Sequence, residues 1–225
     1  MIGFSFGEAT SGADGILKKS VRQMLVKIYG GRADAHLDLY RLSNQHRRKH
    51  GCDLYPSDPL QAPLWAVVAS LTHARRILEV GCGHGYTAAV MASMSKPDCS
   101  VDTIEADPDH GDLAEQAFQE RGLSSRIRVL RGRGQNVLAK LKGPYDILFL
   151  DGDWREYPRY IPYLRRLTRP GSIIVTANLS PLFGGWGGRL QGKQAVQSYL
   201  TRLVRDPRFR TYVVPGEWHS ISVRV

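Results

Sequence analysis

Glu79, Gly81, Gly83 and Gly85 alternate along the run from Glu79 to Thr87, and Glu105 follows Gly85 by 20 residues. Glycines at this spacing let a backbone turn approach a ligand. A carboxylate ending the next strand can accept hydrogen bonds from ribose hydroxyls. The dinucleotide fingerprint G-x-G-x-x-G fails from Gly81, where Tyr86 takes the last place. It is met from Gly83 only with Ala88 at its end. Glu79, two residues before Gly81, would repel a pyrophosphate and suits a cation. S-adenosylmethionine (SAM) carries an ammonium and a sulfonium and no phosphate, so it fits this set best. A dinucleotide and a turn with a structural role alone are the competing readings. Asp151 and Asp153 follow a later apolar run and are candidate general bases toward a hydroxyl acceptor. His84 and His219 are further candidates, although His219 reads more simply as a core or surface histidine.

These residues need a frame that gathers strand ends. From Arg76 onward, apolar runs and helical stretches alternate. Strands are expected at 76–80, 100–105, 126–131, 145–150 and 171–177, and helices at 85–95, 108–121, 134–141, 156–168 and 190–204. The closing runs 210–214 and 218–225 are joined by Pro215-Gly216, a tight turn that makes them antiparallel. The expected fold is α/β: a Rossmann-like, seven-stranded, mostly parallel sheet with helices on both faces, an antiparallel C-terminal strand pair and an N-terminal helical cap. Ligands of such a sheet bind at the carboxyl ends of its strands, near the reversal of strand order. The glycine turn, Glu105 and Asp151 all fall at such ends. Helices are also expected at 14–29, 33–49 and 60–73. Residues 1–59 are assigned to the cap or lid, and 60–225 to the SAM-binding domain. Helix 14–29 reads equally as a lid, a homodimer contact or a plain packed helix.

Composition narrows the classes. The 225 residues are 42% hydrophobic and 23% charged, enough for one sizeable core. No apolar run reaches the roughly 18–20 residues of a membrane span, and the N-terminus lacks the pattern of a secretory signal. Cys52, Cys82 and Cys99 are scattered without a CxxC, which argues against a disulfide framework or a structural zinc site and for a cytoplasmic protein. The net charge of +10 allows an anionic partner, including nucleic acid. The basic clusters at 46–50, 126–133 and 165–169 carry no interleaved RNA-binding aromatic motif, so a solvated surface is the plainer reading.

The stretch 77–92 (ILEVGCGHGYTAAVMA) resembles motif I of class I SAM-dependent methyltransferases, and its GYT is similar to the GYS of the catechol and caffeoyl-CoA O-methyltransferase group. The likeness runs on through 101–118, 126–141, 145–175 and the C-terminus, covering roughly 60–225. It implies that Glu79 and Gly81 lie by the methionine part of SAM, that Gly83 and Gly85 belong to the same cofactor-binding turn, and that Thr87 holds the SAM carboxylate. It also implies that Glu105 binds the ribose, that Ala106, Gly134 and Gln135 surround the adenine, and that Asp151 sits close to the methyl group. Trp154 and Asn178 then fall beside the acceptor. So does Trp186, in the glycine-rich segment 179–189, which reads as a gate over a flat substrate. Tyr157 reads either as a helix-packing residue or as part of the acceptor pocket.

Two departures bear on chemistry. The group places Mg²⁺ with an Asp after the fourth strand and an Asp-Asn pair after the fifth. Here that pair is Ala177-Asn178. Many bacterial members follow the first Asp with A-D-K, whereas this chain reads Gly152-Asp153-Trp154. One carboxylate and one lysine are thus absent, which makes Mg²⁺ doubtful and favours an acceptor site without metal. The expected activity is O-methylation of a small, aromatic hydroxyl acceptor. The alternatives are a methyltransferase acting on RNA or another anionic substrate, and an inactive SAM-binding partner or sensor.

Overall fold

The strand sequences alternate between two cores. In β1 (Arg76–Val80), Ile77 packs into one cluster while Leu78 and Val80 pack into another. In β4 (Ile147–Leu150), Ile147 and Phe149 join the first, and Leu148 and Leu150 the second. Strands apolar on both faces must be covered on both faces, which requires helices on each side.

The computed structural model describes Met24, Ile28 and residues 36–183, 190–214 and 218–225. Besides β1 and β4, the strands are β2 (Ser100–Glu105), β3 (Ile127–Arg131), β5 (Ile173–Thr176), β6 (Phe209–Val213) and β7 (Ser220–Arg224). The sheet runs β3-β2-β1-β4-β5-β7-β6. β1 to β5 are parallel, and β7 is antiparallel to both neighbours. Chain order reverses between β1 and β4, where two loops diverge and open a crevice.

The helices are α1 (Leu37–His50), α2 (Ala62–Leu71), α3 (Tyr86–Met94), α4 (Pro108–Glu120), α5 (Gly134–Lys140), α6 (Tyr157–Leu167) and α7 (Leu190–Val204). On the first face α2, α3 and α4 supply Trp65, Ala88 and Phe118. On the second, α5, α6 and α7 supply Leu138, Tyr160 and Tyr199. α1 ends at Gly51, whose left-handed backbone lets its N–H reach the Arg47 carbonyl at 2.8 Å. α4 is capped by Asp107, which accepts from the Asp109 and His110 amides, with Pro108 at the first position.

The expected sheet and its antiparallel closing pair are present. Strand β4 starts two residues later than the apolar run suggested. Asp146 at its start accepts from the Arg75 and Arg76 amides through its side chain, and Tyr145 donates to Asp102 at 2.7 Å. The short 3₁₀ turn Ser180–Phe183 was not foreseen. Helix 14–29, apart from Met24 and Ile28, the Pro215-Gly216 turn and most of the proposed gate lie outside the described residues.

The turn that matters most depends on Gly85. Its φ of +82° lies in the left-handed region, and an added Cβ would come closer than 3.0 Å to the Phe118 ring. Gly85→Ala is expected to lower stability by about 2–4 kcal/mol in urea unfolding, from backbone strain and overpacking together. Adding Phe118→Leu should recover the steric part. If it recovers nothing, the collision with Phe118 is not the cause.

Candidate active site

The crevice between β1 and β4 is a cleft of about 1190 Å³. Its floor is the glycine turn. Gly81 and Cys82 both donate backbone N–H to the Ile104 carbonyl, at 3.0 and 3.1 Å, which folds the turn back over β2. Glu105 then clamps it: one carboxylate oxygen accepts from the Gly83 amide at 2.7 Å and the other from the Asp107 amide at 2.9 Å. Each oxygen keeps a lone pair for a ligand hydroxyl. Glu79 lies beneath the floor rather than on it. It is buried and accepts a 2.5 Å hydrogen bond from Thr103. Burial pushes its carboxyl up to about 8 against that hydrogen bond, with Asp151 and Glu105 adding to the rise.

A polar relay crosses the middle of the cleft. Thr87, in the first turn of α3, donates to the Ser57 hydroxyl at 3.0 Å, and Ser57 donates to Asp151 Oδ2 at 3.1 Å. Burial pushes the Asp151 carboxyl up to about 7, with the Ser57 hydrogen bond pulling the other way. A carboxyl with this value exchanges its proton near neutral pH, as a general base must.

Asp153 has a different environment. It is bound by its neighbour Arg155 through the backbone amide at 2.9 Å and the guanidinium at 2.8 Å. Burial raises its pKa, but the Arg155 contacts outweigh that and hold it below the ordinary carboxylate range. Asp153 is therefore a carboxylate locked in an ion pair, poorly suited to taking a proton. Trp154 and Asn178 line the same wall, together with Ala177. Asn178 has a left-handed φ of +56° and turns its amide N–H to the Gly152 carbonyl at 3.2 Å. His219 also lines the cleft, edge-on to Trp65 at 5.0 Å, and burial lowers its pKa.

Several expectations need correction. Tyr157, weighed for the acceptor pocket, is fully buried in the second core. Its hydroxyl is shared among the Leu150, Gly152 and Ala177 carbonyls at 3.1–3.3 Å, so it ties the ends of β4 and β5 together from behind. Gln135 turns its side chain to Arg159 at 3.3 Å, while Gly134 and Arg133 line the cleft. Gly85 packs on Phe118 and forms the turn without lining the cleft. Gly81, Gly83, Thr87, Glu105, Ala106 and Asp151 do line it. Trp186 lies outside the described residues. Sequence reasoning missed Ser57, set between Pro56 and Pro59, and the largely buried Glu156, which lines the cleft and accepts from Arg133, Tyr160 and the Gln135 amide. A lone serine in a proline-rich turn carries no periodic signal.

The donor set does not fit Mg²⁺. That ion wants six oxygens in a near-octahedral shell. Asp151 offers a single carboxylate, whose Oδ2 accepts from Ser57, Ala177 offers no side-chain donor, and Asp153 is held by Arg155. The Asn178 side-chain oxygen is the one further ligand at the wall, and Ser180 approaches it at 3.4 Å.

A family model described as O-methyltransferase matches residues 33–216. A relative from Mycobacterium sp. (strain JLS), assigned as an O-methyltransferase, is 35% identical over 173 residues, covering 74% of this chain and 78% of its own. Among solved structures, the O-methyltransferase TomG from Streptomyces achromogenes, in complex with SAM, has a TM-score of 0.79 at 22% identity and covers 93% of this chain and 100% of its own. An O-methyltransferase from Bacillus cereus, in complex with S-adenosylhomocysteine, has a TM-score of 0.78 at 20% identity over 92% of this chain and 97% of its own.

The raised Asp151 value has a consequence for stability. The folded chain holds this proton more tightly than the unfolded chain does. Asp151 therefore destabilises the fold as pH rises from the ordinary carboxylate range through about 7. Asp151→Asn should raise stability at pH 8 by about 1–3 kcal/mol more than at pH 5. Equal shifts at both pH values in chemical denaturation would contradict the raised pKa.

Proposed function

The chain belongs to the O-methyltransferase family, and from that premise we propose that it methylates a hydroxyl of a small planar acceptor, with Asp151 as general base and no bound Mg²⁺. It is a SAM-dependent enzyme. When bound, SAM supplies an electrophilic methyl group on a sulfonium. The observation that carries this reading is Asp151, a cleft-lining carboxyl whose pKa lies near 7.

The chain's own residues divide the work. The glycine turn presents backbone at the floor, and Glu105 accepts hydrogen bonds from ribose hydroxyls while it holds Gly83. Thr87 and Ser57 orient Asp151 through their hydroxyls. Asp151 takes the proton of the acceptor hydroxyl as the oxygen attacks. Trp154 supplies flat apolar surface for a ring. With charge neutralised during transfer, positioning in a dry pocket carries much of the rate.

A second reading is favoured by one specific feature. Arg41, Arg47, Arg48, Arg133 and Arg155 all line the cleft, which suits an acceptor carrying negative charge. Activity that falls steeply with salt on an anionic acceptor, but not on neutral phenols, would select it. SAM binding with no turnover on any acceptor would instead favour an inactive binding protein.

The deciding experiment is a titration with SAM and S-adenosylhomocysteine, coupled to a phenol screen with EDTA and with Mg²⁺. Turnover should proceed without added Mg²⁺ and should not rise when Mg²⁺ is added, and Mg²⁺-dependent turnover would refute the Mg²⁺-free acceptor site. A SAM ammonium near Asp151 favours the carboxylate, so binding should release a proton, and affinity should rise with pH from about 6 to 8. Calorimetry in buffers of different ionisation enthalpy reads this directly. Asp151→Asn should abolish the release and lower kcat by about 10²-fold or more. Glu105→Ala should weaken cofactor binding by roughly 1–3 kcal/mol. Unchanged affinity in a folded Glu105→Ala protein would remove the ribose assignment.

A further inference from the structure

Four histidines and a cysteine meet at the edge of the glycine turn, away from Ala177 and Asn178. His46 and His50 stand on the last turns of α1, and Cys52 follows the Gly51 cap. His84 comes from the glycine turn, and His110 from the first turn of α4. The potential ligand atoms of His46, Cys52 and His110 all lie within 4.8 Å of one another. The His84 ring sits 4.7 Å from His46 and 5.8 Å from His110, and His50 stacks on His46 at 4.4 Å. His84 is 6% exposed, and its Nε2 is buried with no hydrogen-bond partner among the described residues.

We propose that His46, Cys52, His110 and His84 bind one divalent transition-metal ion of the Zn²⁺ class, pinning the cap helix to the cofactor loop. Imidazole nitrogen and thiolate sulfur are the donors that select Zn²⁺ and its neighbours over Mg²⁺. Zinc bonds of about 2.0–2.3 Å in a tetrahedron space the donors about 3.3–3.6 Å apart. The 4.8 Å span of His46, Cys52 and His110 closes by rotation of the partly buried His46 and Cys52, and His84, outside that span, has to turn its ring to supply the fourth donor. Binding converts the Cys52 thiol to a thiolate and releases its proton to solvent. The ion would also satisfy a nitrogen that a folded protein rarely leaves buried and unpaired. The ligands come from three separate elements, so occupancy fixes α1 against the turn that carries Gly83.

The test is titration of the chelator-stripped full chain with Co²⁺ and then Zn²⁺. One equivalent of Co²⁺ should give tetrahedral ligand-field absorption with a thiolate charge-transfer band, displaced by Zn²⁺ and not by Mg²⁺. Cys52→Ser should remove the charge-transfer band, and Cys52→Ser, His46→Ala and His110→Ala should each weaken Zn²⁺ binding by about tenfold or more. His73→Ala, a histidine outside the cluster, should bind as the parent chain does. No stoichiometric binding, displacement by Mg²⁺, or a charge-transfer band retained in Cys52→Ser overturns the proposal. Circular dichroism of each variant before metal addition separates loss of a ligand from loss of the fold.

Discussion

The loops after β1 and β4 pass so closely that only a glycine fits at position 81. Its φ is +100°, and an added Cβ would come closer than 3.0 Å to the Asp151 carbonyl. This contact sets the distance between the two halves of the site. The glycine turn and Asp151 are 70 residues apart in sequence, yet the Asp151 amide donates to the Val80 carbonyl at 2.8 Å. Whatever binds on the floor is thereby held against the carboxyl that faces the acceptor. Tyr157 fixes the same corner from behind, bridging the ends of β4 and β5. Proximity here is a property of the sheet and does not depend on a mobile side chain.

The electrostatics follow from one carboxylate standing where two would be expected. With Ala177 at the end of β5, no second acid shares the wall with Asp151, and Asp153 is neutralised by Arg155. Burial then raises Asp151 without a nearby cation to lower it again. A metal-binding carboxylate must be ionised, whereas a proton acceptor must be able to lose and regain its proton near working pH. Replacing one Asp by Ala thus alters the role of the Asp that remains. Beneath the floor, Glu79 is shielded by Thr103 and kept from the cleft, so its charge state changes the field of the site more than its contacts.

Local signals made the sheet legible. Short continuous apolar runs located the strands, and glycines with left-handed backbones marked the turn at Gly81, Gly83 and Gly85. Glu105 was legible because strand-end position alone assigns it to the cleft. Tyr157 took its helix-packing reading over the acceptor-pocket one, a choice that helix periodicity alone leaves open at the first residue of α6. Gln135 was misplaced because its backbone, and not its amide, follows the cleft. Ser57 and the histidine cluster were invisible for a different reason. Their partners come from elements whose relative placement no spacing encodes, and three cysteines without a CxxC concealed the one that meets two histidines.

The cap completes what the sheet leaves open. A parallel sheet supplies strand ends and loops on its carboxyl edge, but it offers no wall facing them. The segment from α1 to α2 supplies that wall: Ser57 reaches Asp151, Trp65 packs on His219 and Phe149, and Arg47 lies over Tyr55 at the rim. Leu39 anchors α1 in the first core, and His36 bonds Ser93 on α3 at 2.7 Å. The wall is therefore attached through packing to α3, the helix that begins at the glycine turn. Any shift of α1 relative to α3 moves Ser57 relative to Asp151 and changes the hydrogen bond that offsets its burial. Acceptor fit, the protonation of Asp151 and the seating of the cap are three views of one mechanical coupling.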